Sequence, residues 1–288
     1  MLLLLFIPLF CVAQHSKENA ATLNSSPADS MVIIYSANLN GNIDNCRCGD
    51  PPLGGLDHFS TLLNREREKH FTLFFDGGDA FNAYSYPELN KALVSIYGLL
   101  QPDVFTVADQ EFSEGRPFLS KALSRFGSAV VQGNTRIKAY AGADSYKRFK
   151  HKGRVVGVTS YLEMKNRQMG PVKDFLEPEK QRFDKAVKAI SGTDYKVLIY
   201  HGERKYLPGL LKKYPSWDVV LLAHEQLAVN EMYGHIRLVC PGADGEYVSR
   251  IVLKKEAGKT RITVRQLPVG LELPADPTIK EIIKNYQH

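Results

Sequence analysis

Residues 71–79 read FTLFFDGGD, a mostly apolar run that ends in two carboxylates separated by a pair of glycines. A short run of aromatic and aliphatic residues with almost no polar interruption is typical of a strand that is buried on both faces. Asp76 and Asp79 follow this run directly. The stretch therefore predicts an interior strand that delivers carboxylates just past its carboxyl end.

The same pattern recurs from residue 31 to about residue 240, where short apolar runs alternate with amphipathic stretches. The amphipathic stretches place apolar residues at helical spacing, as Leu56, Phe59 and Leu63 do. Strand and helix in alternation predict an α/β fold in layers, with mainly parallel sheets flanked by helices. The predicted strands are MVIIYS (31–36), FTLFF (71–75), DVFTV (103–107), SAVVQ (128–132), RVVGVTS (154–160), KVLIY (196–200), DVVLL (218–222) and HIRLV (235–239). The predicted helices begin near residue 56 and cover 87–100, 117–126, 178–190 and 206–214.

The pattern changes after residue 248. Two alternating runs, SRIVLKK (249–255) and TRITVRQ (260–266), are joined by EAGK and predict a C-terminal β-hairpin on the sheet edge. Residues 276–286 predict a terminal helix. No repeat and no internal linker interrupts the chain, so we expect one domain over residues 31–288.

The first residues predict export. The apolar run from Leu2 to Val12 is too short to span a bilayer and has the length of a signal-peptide core. We expect a signal peptide over residues 1–13, a flexible polar tether over 14–30, and a periplasmic or extracellular location. Lipid attachment at Cys11 is an alternative, although Phe10 is bulkier than the residue expected before a lipidated cysteine.

The net charge of +6 is modest for 288 residues and is spread along the chain. Such a charge tolerates an anionic ligand but does not indicate nucleic-acid binding. No segment is long and apolar enough to predict a transmembrane span.

Three cysteines remain after the leader, an odd number that forbids complete pairing within the chain. Cys46 and Cys48 stand two positions apart in a loop rich in Gly, Asp and Pro. They fit a redox or soft-metal site, or else a loop disulfide or two free thiols, and the second interpretation is favoured. Cys240 is the third.

Polar or metal-competent side chains follow five of the predicted strands, at 38–42, 76–79, 108–112, 201–202 and 223–226. In open α/β sheets the carboxyl ends of the strands form the edge where ligands bind. A single histidine after a strand is usually a hydrogen-bonded structural residue. Two histidines and two aspartates that converge on one edge instead indicate a divalent-metal site.

In this order the motifs resemble the 5′-nucleotidase and UDP-sugar hydrolase branch of the calcineurin-like metallophosphatases. That family's order is Asn-Asp-x-His-Gly, Gly-Gly, Asp-x-Gly-Asp-x-Phe, Gly-Asn-His-Glu-Phe-Asp, His, and Gly-His-x-His or Gly-His-x-Gln. This chain has NLNGN (38–42), GGL (54–56), DGGDAF (76–81), DQEF (109–112), HG (201–202) and AHEQ (223–226). The resemblance covers about residues 31–286 and implies the layered metallophosphatase fold. Residues 276–286 are similar to the helix that leads into the family's nucleotide-binding domain, so only the catalytic domain is implied.

The resemblance implies one intact metal position. Its ligands would be Asp79, which bridges two metals in the family, together with Asp109, His201 and His224. Asp109 stands where the family has Asn. Two carboxylates and two imidazoles suit one divalent ion such as zinc, manganese or iron.

The other metal position and the catalytic dyad depart from the family pattern. Asn38 and Asn40 replace an Asp and a His, and Gln226 stands where some members also have Gln. Neutral amides bind a divalent ion more weakly than carboxylate and imidazole do. Gln110 and Ser113 replace the His and Asp of the dyad, and Gln cannot titrate.

The resemblance therefore implies weak or lost hydrolysis of a phosphoester or nucleotide-like small molecule. The alternative is a fully non-catalytic binding or structural protein on the same fold. A thiol-redox protein that uses Cys46 and Cys48 is a third reading, and these thiols are also candidate auxiliary ligands for the altered metal position.

Overall fold

The computed structural model describes residues 30–46, 49–138, 140–164, 172–256 and 258–287. Of the expected signal peptide and tether, only Ser30 falls within these ranges. Cys11 and Cys48 lie outside them, and for Cys46 the backbone alone is described. The expectations about export, lipid attachment and the paired thiols therefore stay predictions.

The helices alternate with strands as the sequence predicts. The helices are α1 (Leu56–Lys69), α2 (Pro87–Leu100), α3 (Gly115–Phe126), α4 (Val172–Phe175), α5 (Lys180–Ile190), α6 (Leu207–Lys213) and α7 (Pro277–Gln287). The strands are β1 (Met31–Ser36), β2 (Asn45–Cys46), β3 (Leu53–Gly54), β4 (Phe71–Asp76), β5 (Val104–Phe105), β6 (Thr135–Ile137), β7 (Tyr146–His151), β8 (Arg154–Leu162), β9 (Leu176–Pro178), β10 (Tyr195–His201), β11 (Val219–Ala223), β12 (Val229–Tyr233), β13 (Ile236–Cys240), β14 (Tyr247–Glu256) and β15 (Lys259–Pro268). Short 3₁₀ turns occupy Gln110–Phe112, Gly127–Ala129 and Arg204–Tyr206.

Two large sheets form the centre of the molecule. The first has the strand order β15-β14-β1-β4-β5, and the second has the order β12-β13-β11-β10-β8-β7. Pairing is parallel in β1–β4, β4–β5, β8–β10, β10–β11 and β11–β13. Pairing is antiparallel in β1–β14, β14–β15, β12–β13 and β7–β8.

The sheets stack face to face, with helices on their outer faces. Alternate residues of β1 face opposite ways: Ile33 packs in the apolar cluster between the sheets, whereas Ile34 packs in the cluster under the helices of the first sheet. Leu198 of β10 packs in a third cluster, with Phe183 of α5 and Leu211 of α6. Each central strand is thus covered on both sides, which explains its unbroken apolar sequence. The predicted layered α/β fold is confirmed.

Most predicted elements are present, and two are shorter than expected. Helix α2 has the predicted bounds, and the C-terminal hairpin is β14–β15 on the edge of the first sheet. The DVFTV run forms a strand only over Val104–Phe105, and the SAVVQ run contributes only isolated bridges, Phe105 to Val130 and Val131 to Asp144. The edge strands β7 and β12 were not predicted, because their sequences are largely polar and exposed.

Within the described ranges, the structure contains no helix with both the length and the apolar character needed to cross a bilayer.

The candidate site lies where β1, β4, β5, β10 and β11 finish, which we call the site end. The register pairs Ser36 with Asp76, and His201 with Ala223, so the last residues of neighbouring strands are level. The opposite end, where the same strands start, is called the start end below.

Candidate metal centre

Four side chains from both sheets converge at the site end. Asp79 follows β4, Asp109 follows β5, His201 is the last residue of β10, and His224 follows β11. One ligand atom from each lies within 4.8 Å of the others. His201 Nε2 is 3.3 Å from both Asp79 Oδ2 and Asp109 Oδ1, and His224 Nδ1 is 3.8 Å from Asp79 Oδ2.

The His201 ring is oriented toward the centre of this group. Its Nδ1 lies 3.1 Å from the carbonyl oxygen of Gly77, so Nδ1–H donates to the backbone and Nε2 faces the carboxylates. His201 Nε2 and Asp109 Oδ1 are buried atoms that make no hydrogen bond within the described part of the chain. Buried polar atoms are rarely left in this state unless a ligand or ion satisfies them. The donor set therefore fits a divalent cation.

The carboxylates and imidazoles change each other's protonation. Burial by itself raises the pKa of Asp79, but His201 and His224 outweigh it and hold that pKa well below its usual range. Burial by itself lowers the pKa of His201, but the negative charges of Asp79 and Asp109, whose oxygens lie 3.3 Å from Nε2, raise it well above its usual value. The cluster thus favours positive charge, which a proton on His201 or a divalent ion can supply.

Backbone conformation is unusual throughout this edge. Asn38, Asn40, Asp79, His224 and Asp244 all have φ between 55° and 71°, a left-handed region that non-glycine residues seldom adopt. Hydrogen bonds between loops hold them there. The backbone N–H of Asn40 donates to the backbone carbonyl of Asp79 at 2.8 Å, and the backbone N–H of Asp244 donates to that of Asn38 at 2.8 Å. Such clustering of costly conformations is typical of functional sites.

Glu111 fixes the loop that carries Asp79, and sequence reasoning missed it. Its fully buried carboxylate accepts hydrogen bonds from the backbone N–H groups of Asp79 (3.3 Å), Ala80 (2.8 Å), Phe81 (3.3 Å) and Ala108 (2.8 Å). Burial, followed by the charge of Asp79, raises the pKa of Glu111 to about 8. The carboxylate joins the loops after β4 and β5, which supply both aspartates of the cluster.

Asp76 is an anchor and not a member of the cluster. Its carboxylate accepts hydrogen bonds from Ser36 Oγ at 2.5 Å, Tyr97 Oη at 2.8 Å and the N–H of Gly78 at 2.9 Å. Burial raises its pKa to about 6. Gly78 itself has φ of 92° and packs against Thr106 and Ala108, where a side chain has no room. This tight turn carries Asp79 across the top of the sheet.

The Asn38 side chain is committed to the backbone. Its Nδ2 donates to the carbonyl oxygens of Glu225 (2.7 Å) and Gly242 (2.9 Å), and its Oδ1 accepts from the N–H of His224 (2.6 Å). The residue is completely buried. Asn38 therefore positions the loop that carries His224, and a carboxylate could not make the same two donations.

Asn40 is hydrogen-bonded to both Gln110 and Gln226 beside the four-residue cluster, and Gln110 Oε1 is buried without a hydrogen bond among the described residues. Gln110 Nε2 donates to Asn40 Oδ1 at 2.9 Å, and Asn40 Nδ2 donates to Asp244 Oδ1 at 2.8 Å and to Gln226 Oε1 at 3.3 Å. Asn42 adds a donation to the same Asp244 oxygen at 2.8 Å. We call Asn38, Asn40, Gln110 and Gln226 the amide cluster.

The remaining sequence candidates lie around this site. Ser113 Oγ accepts a 3.3 Å hydrogen bond from Asn90 Nδ2. Cys46 ends β2, which pairs with β3. Cys240 is buried at the end of β13 with its thiol 3.3 Å from the Glu225 carbonyl, and burial raises its pKa to about 12.

Comparisons with known proteins support the fold. No protein-family model and no curated protein matches the chain. Solved structures do match: the sulfate thiohydrolase SoxB of Thermus thermophilus gives a TM-score of 0.73 at 18% identity over 91% of this chain. A 5′-nucleotidase precursor of Thermus thermophilus gives 0.71 at 17% identity over 89%. The calcineurin-like phosphoesterase YfkN of Bacillus subtilis gives 0.68 at 15% identity over 90%.

The extent of these matches differs. This chain spans 97% of the YfkN structure but only 61% of SoxB and 58% of the 5′-nucleotidase precursor. At such low identities the likeness concerns the fold. The chain has the fold of the calcineurin-like phosphoesterases and of the corresponding part of the 5′-nucleotidases.

Proposed function

We propose that this chain belongs to the calcineurin-like metallophosphatases, is related to their 5′-nucleotidase branch, and binds one divalent metal ion through Asp79, Asp109, His201 and His224. We further propose that its phosphoester hydrolysis is weak or lost. The observation that carries the proposal is the contrast between two buried ligand atoms without a hydrogen bond, His201 Nε2 and Asp109 Oδ1, and the fully hydrogen-bonded side-chain amides of Asn38 and Asn40 beside them.

The four ligands match the charge and the ligand preference of a zinc, manganese or iron ion. Two carboxylates neutralise one divalent cation, and imidazole suits the borderline metals. When bound, such an ion lowers the pKa of a coordinated water and polarises a phosphoryl oxygen. His201 would give up its proton on binding, because its Nε2 is the atom that faces the carboxylates.

The amide cluster supports the weak or lost activity. Asn38 uses both ends of its amide on backbone groups, and Asn40 uses both ends on neighbouring side chains. Gln110 can orient a polar group but cannot accept or release a proton. Each lost charged contact in a phosphoryl-transfer site costs about 3 kcal/mol of transition-state stabilisation, roughly a hundredfold in rate.

A fully non-catalytic protein that binds a phosphoester or nucleotide-like ligand is the second candidate. The hydrogen bonds of Asn38 and Asn40 favour it, since no second metal is needed to satisfy these two side chains. The thiol-redox reading has less support. The raised pKa of Cys240 keeps its thiol protonated, and the thiols of Cys46 and Cys48 lie outside the described residues.

Turnover of 5′-AMP and of a generic phosphomonoester, measured with added Mn²⁺ or Zn²⁺, distinguishes a weak hydrolase from a fully non-catalytic protein. We expect one bound metal with turnover that is very slow or absent in the purified protein. The combined variant Asn38→Asp, Asn40→His and Gln110→His restores the residues of the family pattern at these positions. We expect it to gain activity if these three differences are the reason that hydrolysis is weak or lost. Robust turnover by the unmodified chain would overturn the claim of weak activity, and absence of any bound metal would overturn the ligand assignment.

A further inference from the structure

The start end of the molecule carries a concentration of positive charge that the linear sequence does not reveal. Two hairpins supply it: β7–β8, which spans 146–162, and the tip of β14–β15. Residues 146–154 and 254–261 contain nine Lys or Arg against a single acidic residue, Glu256, an excess of eight where the whole chain has a net charge of +6. The rest of the chain therefore has a small net negative charge.

The fold brings these two hairpins to the same end. Residue 31 pairs with Phe71 and Leu253, so the tip of β14–β15 extends past the start of the first sheet. His151, at the turn of β7–β8, stacks on the ring of Phe71 with the ring centres 4.3 Å apart. Lys255 Nζ lies 6.0 Å from the ring of Tyr195, the first residue of β10.

Several of these cations are available to a partner. Lys150, Lys152 and Lys259 are exposed, and the structure records no ion pair for them among the residues it describes. By contrast, Arg154 pairs with Asp194 at 3.1 Å, and Arg261 pairs with Glu256 at 2.9 Å. Basic residues also end the helices that finish here, as in the last turns of α1, α5 and α6. The partial negative charge at a helix C-terminus stabilises basic residues in the last turn and accounts in part for these helix residues. It does not account for the lysines of the hairpins.

We propose that this basic end binds the surface of an anionic lipid bilayer. Charge complementarity supplies the attraction, and each Lys or Arg near such a surface contributes independently of sequence. The described chain begins at this same end, with Ser30 directly before β1. Lipid attachment at Cys11, the alternative to signal-peptide removal, would join the anchor to the chain at this same basic end.

This orientation has a consequence for the candidate metal centre. The strands that separate the two ends are five to seven residues long, as β10 and β11 are. At about 3.3 Å per residue they span roughly 20 Å. Bound through its basic end, the protein would hold the metal centre away from the bilayer and open to soluble ligands. The surface proposal does not depend on whether that centre is catalytic.

Binding to vesicles tests the proposal. The purified full chain is titrated with phosphatidylcholine vesicles that contain either no phosphatidylglycerol or about 30% of it, at low and at raised salt, and the ratio of the two affinities is measured. The test variant combines Lys150→Gln, Lys152→Gln and Lys259→Gln. The matched control removes the same charge from other exposed positions, with Lys121→Gln, Lys180→Gln and Lys280→Gln.

We expect the unmodified chain to prefer the anionic vesicles and to lose that preference at high salt. The hairpin variant should bind them on the order of a hundredfold more weakly, whereas the control variant should bind as the unmodified chain does. Equal binding to neutral and anionic vesicles would overturn the proposal. So would equal losses in the two variants, or tighter binding of a DNA or RNA polyanion than of the vesicles at the same salt.

Discussion

The four-residue cluster of Asp79, Asp109, His201 and His224 and the amide cluster occupy the same edge of the same sheets. They differ in how far their polar side-chain atoms are hydrogen-bonded. In the metal cluster, His201 Nε2 and Asp109 Oδ1 are buried and make no hydrogen bond within the described chain. In the amide cluster, the side-chain amides of Asn38 and Asn40 each donate and accept hydrogen bonds with neighbouring groups. The first region has the donor set of a cation site, whereas Asn38 and Asn40 of the second are satisfied by protein groups, and Gln110 Oε1 is the buried amide oxygen there that makes no hydrogen bond among the described residues.

The difference lies in the side chains and not in the loops that carry them. Amide groups both donate and accept, so they can bond to carbonyls and to each other, whereas carboxylates facing one another require a cation. The left-handed backbone is found on both sides, at Asp79 and His224 as well as at Asn38 and Asn40. The scaffold is therefore common to both regions, and the side-chain chemistry distinguishes them.

The largest effect is expected from His201→Ala. This change removes the imidazole whose Nε2 lies 3.3 Å from both carboxylates. Metal affinity should fall by at least about a thousandfold, beyond the ten- to hundredfold typical of groups that only support a ligand. Isothermal titration with Zn²⁺ or Mn²⁺ measures it, with His235→Ala on the exposed β12–β13 turn as control. Unchanged affinity in His201→Ala would mean that the cluster is not the metal site.

The next largest effect is expected from Asn38→Asp. A carboxylate here would face the carbonyl oxygens of Glu225 and Gly242, which now accept from the Asn38 amide at 2.7 and 2.9 Å. The free energy of unfolding should fall by about 3 kcal/mol, because a buried charge is left without a partner. The new carboxyl would have a raised pKa in the folded protein, so the loss grows as pH rises above about 4. Chemical denaturation at several pH values measures it.

Asn64→Asp on the exposed face of α1 is the control for Asn38→Asp and should change stability little. The decisive addition is Mn²⁺. If saturating metal restored the stability of Asn38→Asp by itself, the amide side would still hold a metal position, and the contrast between the two regions would fail.

Glu111→Gln should have an intermediate effect. The carboxylate now accepts four backbone hydrogen bonds from the loops that carry Asp79 and Asp109, and the amide NH₂ of Gln would face N–H groups instead. We expect metal affinity to fall about ten- to hundredfold, because the ligands lose their support. Glu114→Gln, in the adjacent turn, is a control expected to retain affinity. Normal affinity in Glu111→Gln would show that the loops hold themselves in place.

The smallest effect is expected from Gln226→Ala. Gln226 is exposed and accepts one long hydrogen bond, at 3.3 Å, from Asn40. The free energy of unfolding should change by less than about 1 kcal/mol, and the number of bound metal ions should not change. A lost metal ion in this variant would place Gln226 among the ligands and would contradict the account of the amide cluster.

The sequence predicted the scaffold well because its signals are local. Pro87 marks the first turn of α2, and the alternation after residue 248 marks the β14–β15 hairpin. The convergence of Asp79, Asp109 and the two histidines followed from the rule that parallel strands end at one edge. The DVFTV run failed as a full strand because the chain turns after Phe105 to carry Asp109 into the site.

The sequence could not reveal what depends on distant backbone groups. Glu111 looks like an ordinary polar residue, since its partners are N–H groups about thirty positions away. Asn38 looks like a weakened ligand, although its amide binds loops nearly two hundred residues further along. The basic start end was missed for the same reason, because its two hairpins are about a hundred residues apart and meet only in the fold.

The count of metal ions per folded chain, with their positions, tests the central claim most directly. Elemental analysis of the purified protein after saturation with Zn²⁺ or Mn²⁺ gives the number, and anomalous diffraction gives the place. We predict one ion per chain, bound by Asp79, Asp109, His201 and His224. A second ion held by Asn38, Asn40 and Gln226 would contradict the account, as would a saturated protein with no ion at the four-residue cluster.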